Sequence, residues 1–272
     1  YRHIMGANTM NTNIPIAILQ EFDVPGPRYT SYPTADRFVD AHGEAQFIQA
    51  LEERKASARA KTSPLSLYVH IPFCVSLCYY CACNKIITGN YQKAMDYLDD
   101  LKREIDLLLP HLGQGPFVSQ VHLGGGTPTY FKDAELSELM QCLRSVFQWQ
   151  VGGEYAIEVD PRTVNEERLH HLWAMGFNRL SLGIQDFDPK VQEAVHRMQS
   201  LDDVNDVMKS MVKDVIEVLT EQEITHHLGY EKHQSSQIDN YRNGHNDKSL
   251  NSKFGVIDVS IPRDRNSDFH PE

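Results

Sequence analysis

The sequence has no run of uncharged apolar residues long enough to span a bilayer, which takes about 20 in a row. Its opening residues, YRHIMGANTMNTN, lack the apolar stretch of a secretory signal. It also lacks an excess of positive charge. Lys and Arg number 26 against 37 Asp and Glu, and the formal net charge of −11 repels phosphate backbones, so overall charge gives nucleic-acid binding no support. Cysteines are few, five in 272 residues, too sparse for a disulfide scaffold. Yet four of them (Cys74, Cys78, Cys81 and Cys83) crowd into one short stretch. Without a secretory signal, such crowding reads as metal binding in a cytoplasmic protein. The first residue is Tyr1, so the sequence reads as a fragment or a translated frame, with Met5 or Met10 as the expected start.

What is present is a globular composition, 41% apolar and 23% charged. Residues 24–38, VPGPRYTSYPTADRF, form a Pro/Gly/Tyr-rich stretch, and Phe47, Ile48 and Leu51 predict a helix over 44–60. From 65 the pattern alternates. Strands are predicted at 65–71, 118–124, 155–160 and 179–184. Helices are predicted at 90–109, 133–147 (Asp133 as N-cap), 165–175 (closed by Gly176) and 188–198 (Pro189 at the first position). Four such units argue for an α/β fold with a parallel sheet and right-handed crossovers, whose active residues gather at the C-terminal strand ends. After 203 comes one more predicted helix, to 227. A polar stretch (229–252) reads as loop, and 253–264 reads as a strand or hairpin.

Cys74-Val-Ser-Leu-Cys78-Tyr-Tyr-Cys81 has the spacing CxxxCxxC. Three thiolates on one loop suit three irons of a [4Fe–4S] cube, leaving the fourth iron open. An open iron chelates the amino and carboxylate groups of S-adenosylmethionine and passes an electron to its sulfonium. A 5′-deoxyadenosyl radical results, which takes hydrogen from unactivated carbon. The alternative is a structural zinc held by Cys74, Cys78, Cys81 and Cys83. Zinc loops usually pair two short CxxC-type elements, and the sequence has only one. Cys83 reads as a neighbour and Cys142 as helix core.

The other candidates fall at strand ends. Gly124, Gly125 and Gly126, followed by Thr127, let a ligand approach the backbone, with the methionine end of the cofactor as the natural occupant. In IEVDP, one of Glu158 and Asp160 is expected to meet a ligand, the other use being a structural salt bridge. Gln185 ends the fourth strand. Arg197 follows on the next helix, where its planar fork suits a carboxylate, although solvated arginines are commoner there.

Together YVHIPFCVSLCYYCACNK, HLGGGTPT, IEVDP, GFNRLSLGIQDFD and VQEAVHRMQ resemble the oxygen-independent coproporphyrinogen III oxidases of bacterial haem synthesis, which are radical S-adenosylmethionine enzymes. PGPRYTSYPTA (25–35) resembles their amino-terminal segment, so the resemblance covers about residues 12–205. It implies a partial (β/α) barrel in which Cys74, Cys78 and Cys81 hold the cluster. Tyr68 would lie beside the cofactor, with Gly125, Glu158, Gln185 and Arg197 binding the cluster-bound S-adenosylmethionine. Tyr80, Gly126 and Thr127 would contact a second S-adenosylmethionine. The implied reaction is decarboxylation of two propionates of coproporphyrinogen III to vinyl groups. It draws electrons from a flavodoxin- or ferredoxin-type reductant, in a monomer.

The tail departs from that pattern. MVKDVIEVLTEQEITHHLGYEKH, NYRNGH and FGVIDVSIPRDRNSDFHPE resemble the amino-terminal region of mutator-type bacterial transposases. The expected organisation is therefore an N-terminal segment (1–64), a truncated barrel (65–205) and a transposase-like fragment (206–272), joined somewhere in 200–212. Such a chain is expected to be incompetent alone. Residues 201–272 carry 14 acidic and 8 basic residues, a net of −6, so only local contacts through Arg242, Lys248, Lys253, Arg263 and Arg265 would reach DNA. His226, His227 and His233 read as solvated.

Overall fold

The computed structural model describes residue 16 and residues 37–58, 62–113, 115–232, 234 and 240–271. The Pro-rich motif 25–35 and His233 lie outside the described residues. The chain divides into two compact units, residues 1–51 and 52–272. A helix, α1 (Glu44–Ala56), begins in the first, and everything that follows concerns the second.

The second unit opens on β1 (Leu65–Ile71), with two short strands, β2 (Phe73–Cys74) and β3 (Ile86–Ile87), flanking the cysteine loop. Then come α2 (Gln92–Leu112), β4 (Phe117–Gly125), α3 (Asp133–Val146), β5 (Gln148–Val159), α4 (Glu166–Ala174), β6 (Arg179–Leu182) and α5 (Pro189–Ala194). All pairings in the four-stranded sheet are parallel, in the order β1-β4-β5-β6. The expected α/β reading stands, with four strands and their helices in the predicted sequence.

Strand alternation sorts the sheet into two chemically different faces. Val69 and Ile71 on β1, Val118, Val121 and Leu123 on β4, and Ile157 and Val159 on β5 are buried. So are Leu98 and Leu101 of α2, Leu136, Leu139, Met140 and Leu143 of α3, and Leu169 and Leu172 of α4. The alternate positions are polar. Ser66 lies opposite Gln120, Tyr68 opposite His122 and His70 opposite Gly124, while Glu158 pairs in register with Ser181. A sheet dry on one face and polar on the other presents its second face to a ligand.

Several boundaries differ from expectation for local reasons. Helix α3 starts at Asp133 itself, with Lys132 at the cap position; the Asp133 carboxylate instead accepts from His171 at 2.7 Å and pairs with Arg168 at 3.3 Å. Strand β5 begins seven residues earlier than predicted, because its register against β4 shifts between Val118 and Gln120, and Gly152 takes a positive φ of 76° in that stretch. Helix α5 stops at Ala194 rather than running to 198, so Arg197 lies just past the turn that ends it and not on a helix.

The largest correction is in the tail. Helix α6 (Leu201–Leu228) opens with a reciprocal capping box between Ser200 and Asp203. It is followed by an antiparallel hairpin, β7 (Arg242–Ser252) and β8 (Gly255–Asp264). Most of the supposed loop from 242 is therefore strand. Its sequence hides this because β7 is exposed along nearly its whole length and is held by main-chain pairing and polar side-chain bonds, with no apolar face. The burial falls to β8, where Ile257, Val259 and Ile261 pack on Val212 and Ile216 of α6. Ile257→Ala is expected to destabilise this hairpin by about 2–5 kcal/mol, the cost of a large-to-small change in a small core. Tryptic cleavage of the full chain at Lys248 and Lys253 should accelerate accordingly, and unchanged protection would show that the cluster does not hold the hairpin.

Candidate functional site

The ends of β1, β4 and β5 converge on the cysteine loop. Cys74 closes β2 and is half-buried, its Sγ 3.5 Å from the Thr127 hydroxyl. Burial pushes the Cys74 thiol up from its ordinary value, with the Thr127 hydrogen bond opposing it. Cys78 and Cys81 are also half-buried and joined by a turn, the Cys81 amide donating to the Cys78 carbonyl at 3.1 Å. Cys83 is exposed and lies beside Cys81.

The glycine edge is packed against that loop. The Gly126 amide donates to the Ile71 carbonyl and the Thr127 amide to the Phe73 carbonyl, each at 2.9 Å. A Cβ at Gly126 would lie 2.7 Å from Pro72 backbone atoms, so no other residue fits there without moving the Pro72–Phe73 backbone. Gly125 has φ 119°, a conformation that favours glycine, and its amide donates to Glu158 Oε2 at 3.2 Å. The other Glu158 oxygen lies 3.2 Å from His122 Nε2. The His122 ring stacks on Tyr68, with centroids 5.8 Å apart. Tyr68 is exposed, and its hydroxyl lies 3.0 Å from His70 Nδ1.

The two carboxylates of IEVDP separate cleanly. Asp160 is buried, its side chain 5% exposed, and is bonded by Arg162 at 2.6 Å and Arg197 at 3.3 Å. Glu158 is half-exposed on the polar face. Asp160 therefore takes the structural ion pair, and Glu158 keeps the exposure a ligand needs. Arg197 is 12% exposed. It donates to the Gly183 carbonyl at 2.9 Å, points Nη1 at Cys78 Sγ across 3.9 Å, and leaves its buried Nε without a partner. Tyr80 lies near Cys78, Cys81 and Arg197, and burial pushes its phenol up. Gln185 is exposed beyond β6.

Sequence reasoning missed His122 and His70, although both share Tyr68's face by simple alternation. It also missed His196, described below, whose only advance signal was its position just past a short helix.

These donors suit an iron–sulfur cluster better than zinc. A structural zinc would need Cys83 as its fourth thiolate, and Cys83 is exposed while Cys74, Cys78 and Cys81 are half-buried. A cube offers each thiolate its own iron. The buried cationic Arg197 beside Cys78 also suits thiolate charge.

Comparison with known proteins agrees. Residues 68–234 match the model of the radical SAM superfamily. The oxygen-independent coproporphyrinogen III oxidase of Escherichia coli K12 is 52% identical over 184 residues, covering 68% of this chain and 39% of that protein. The Pseudomonas aeruginosa protein of that name is 44% identical over 195 residues, covering 71% and 42%. A Mannheimia haemolytica sequence of the same name is 47% identical over 146 residues, which cover 54% of this chain and 95% of that sequence. The solved structure of Escherichia coli coproporphyrinogen III oxidase, described as a radical SAM enzyme, superposes with a TM-score of 0.62 at 46% identity, covering 72% of this chain and 42% of that one. The chain thus spans less than half the length of the first two relatives. Among the described residues no helix is long and apolar enough to cross a membrane.

Burial alone would raise the Asp160 carboxyl, but Arg162 and Arg197 hold it below the usual carboxylate range. Its ion pairs therefore stabilise the fold above about pH 4 and are lost as pH falls through the lowered value. Asp160→Asn, which leaves two guanidiniums without their anion, should cost about 3–5 kcal/mol at neutral pH and flatten the acid limb of a stability–pH profile. An unaltered profile would remove Asp160 from its structural role. The superfamily's cofactors are a [4Fe–4S] cluster and S-adenosylmethionine, and this chain belongs to the radical SAM superfamily, in the family of the oxygen-independent coproporphyrinogen III oxidases.

Proposed function

We propose that this chain carries the cofactor-binding portion of a coproporphyrinogen III dehydrogenase. One observation carries the reading. Three thiols, a buried arginine, a glycine edge and an exposed glutamate meet at the C-terminal ends of parallel strands. When bound, the cluster and S-adenosylmethionine supply one-electron chemistry that opens an unactivated C–H bond. The chain's own residues bind and orient. Cys74, Cys78 and Cys81 hold the cluster. Glu158 accepts from Gly125 and offers its remaining lone pairs to the cofactor, and Tyr68 walls the polar face. Gly125, Gln185 and Arg197 complete the first S-adenosylmethionine site, with the unused Arg197 Nε as its donor. Tyr80, Gly126 and Thr127 flank a second. The substrate class is a porphyrinogen bearing propionates, and the electron source a flavodoxin- or ferredoxin-type carrier in a cytoplasmic setting.

For the tail we infer descent from a mutator-type transposase sequence, joined within α6. The motif resemblance over 206–272 and the hairpin's own apolar cluster support this reading. Arg242 is no DNA ligand in it, since its guanidinium is spent on Glu221 and Thr225. Arg263 is likewise engaged, by the Asn243 carbonyl and Asn246 Oδ1, so Lys248, Lys253 and Arg265 remain. Assayed by itself, the 272-residue chain should hold cofactors without converting coproporphyrinogen III, because β6 pairs only with β5 among the described residues and so leaves an open edge.

Two measurements test the site. Cys74→Ala, Cys78→Ala and Cys81→Ala should each abolish retention of iron and sulfide after anaerobic reconstitution, while Cys83→Ala keeps most of both; an indispensable Cys83 would end the three-thiolate assignment. Glu158→Ala should weaken S-adenosylmethionine binding by about 1–3 kcal/mol in titration calorimetry, with iron content unchanged. Equal affinity would return Glu158 to a structural role beside His122.

A further inference from the structure

His196 is a non-glycine residue with φ 56°, in the left-handed region that costs an L-residue free energy. It stands where α5 ends, and the chain must reverse there to bring Arg197 back toward the sheet. The reversal is closed by backbone bonds, with the His196 amide donating to Glu193 O at 3.0 Å and the Arg197 amide to Gln192 O at 2.8 Å. His196 is exposed, yet its turn is tied to the cysteine loop. His196 Nδ1 lies 2.8 Å from the Leu77 carbonyl, so that nitrogen carries the proton and donates. Its ring stacks on Tyr79 with centroids 5.3 Å apart and planes 15° apart, and the Tyr79 amide donates to Val195 O at 3.0 Å. Leu77 and Tyr79 bracket Cys78. Three contacts from one turn thus grip the middle of the cysteine loop, while the next residue, Arg197, points Nη1 at Cys78 Sγ.

We propose that His196 is a positioning residue. Its left-handed backbone and its imidazole together dock the α5 exit turn onto Leu77 and Tyr79, and so set the Cys74–Cys81 loop in the conformation that receives the cluster and faces Arg197. The inference rests on the cluster reading above but assigns a role to a residue that reading does not use. The side chain and backbone requirements are separable. Asparagine tolerates the left-handed region and keeps an N–H donor, glycine keeps only the backbone freedom, and alanine keeps neither.

The test compares the full chain and its His196→Asn, His196→Gly and His196→Ala variants after anaerobic reconstitution, with Tyr79→Leu as a change that leaves residue 196 untouched. Three quantities are read: the rate of iron loss to a chelator, hydrogen exchange of the Tyr79 amide in the cluster-free chain, and the change in the reduced cluster's electron paramagnetic resonance on adding S-adenosylmethionine. His196→Ala should lose iron about fivefold faster, the size of one uncompensated left-handed residue. Its Tyr79 amide should exchange faster too, and its spectral response to S-adenosylmethionine should weaken. His196→Asn should recover most of each, and His196→Gly less. Tyr79→Leu should speed iron loss with residue 196 intact, which keeps the proposal testable if the alanine variant does not fold. Iron loss and Tyr79 exchange equal to wild type in His196→Ala, or no rescue by asparagine over alanine, would overturn the proposal. A wild-type chain that binds neither iron nor sulfide would overturn the cluster reading as well, and is told apart by failing before any variant is compared.

Discussion

The site depends on one buried carboxylate. Asp160 sits at the end of β5, almost without exposure, and holds two guanidiniums, one from the turn just after it and one from far downstream. Arg162 belongs to the turn that follows β5 directly, and its other bond goes to the Met198 carbonyl. Arg197 arrives from beyond β6 and α5. A buried anion with a single cation contributes little net stability, but one shared between two fixes where both chains of backbone must pass. The passage of residues 196–199 over the sheet end follows from it, as does the approach of Arg197 to Cys78. The cysteine loop has little regular structure of its own, and its geometry is borrowed from this anchor and from the glycine edge of β4.

Much of this was legible beforehand. Parallel strands followed by helices leave a strong periodic signal, and the chemical residues fall at strand ends because that is where a parallel sheet opens. The cysteine spacing favoured a cluster over zinc, and the motifs around it strengthened that reading. What stayed hidden is instructive. IEVDP offers two carboxylates one residue apart from the end of a strand, and no pattern says which is dry. The answer lay in Arg162 and Arg197, the second of them 37 residues away in sequence terms no local rule inspects. Strand β7 was invisible for the opposite reason. RNGHNDKSLNS has no apolar face because nothing covers it, and its strandedness comes from pairing with β8. Hydrophobic periodicity reports burial, and a strand that buries nothing escapes it.

His122 and His70 illustrate a third kind of omission. Read singly, each is an ordinary histidine in an apolar strand. Read across the sheet by alternation, they line up with Tyr68 and Glu158 to make the polar face. The information was in the sequence, but only after strand order and register were known, since His122 meets Tyr68 through a pairing between strands separated by a helix.

Helix α6 runs unbroken for 28 residues between two different packing surfaces. Near its start Val204 and Val207 are buried; further along, Val212 and Ile216 meet the hairpin while Lys213 reaches Glu166 of α4. The helix is therefore a phase relation as much as a connector. Each residue added or removed between Val207 and Val212 would rotate everything downstream by about 100° and shift it by about 1.5 Å along the axis. In the register observed, both surfaces find their partners along a single rod, and an insertion of one residue would be felt more severely than the loss of any side chain on it.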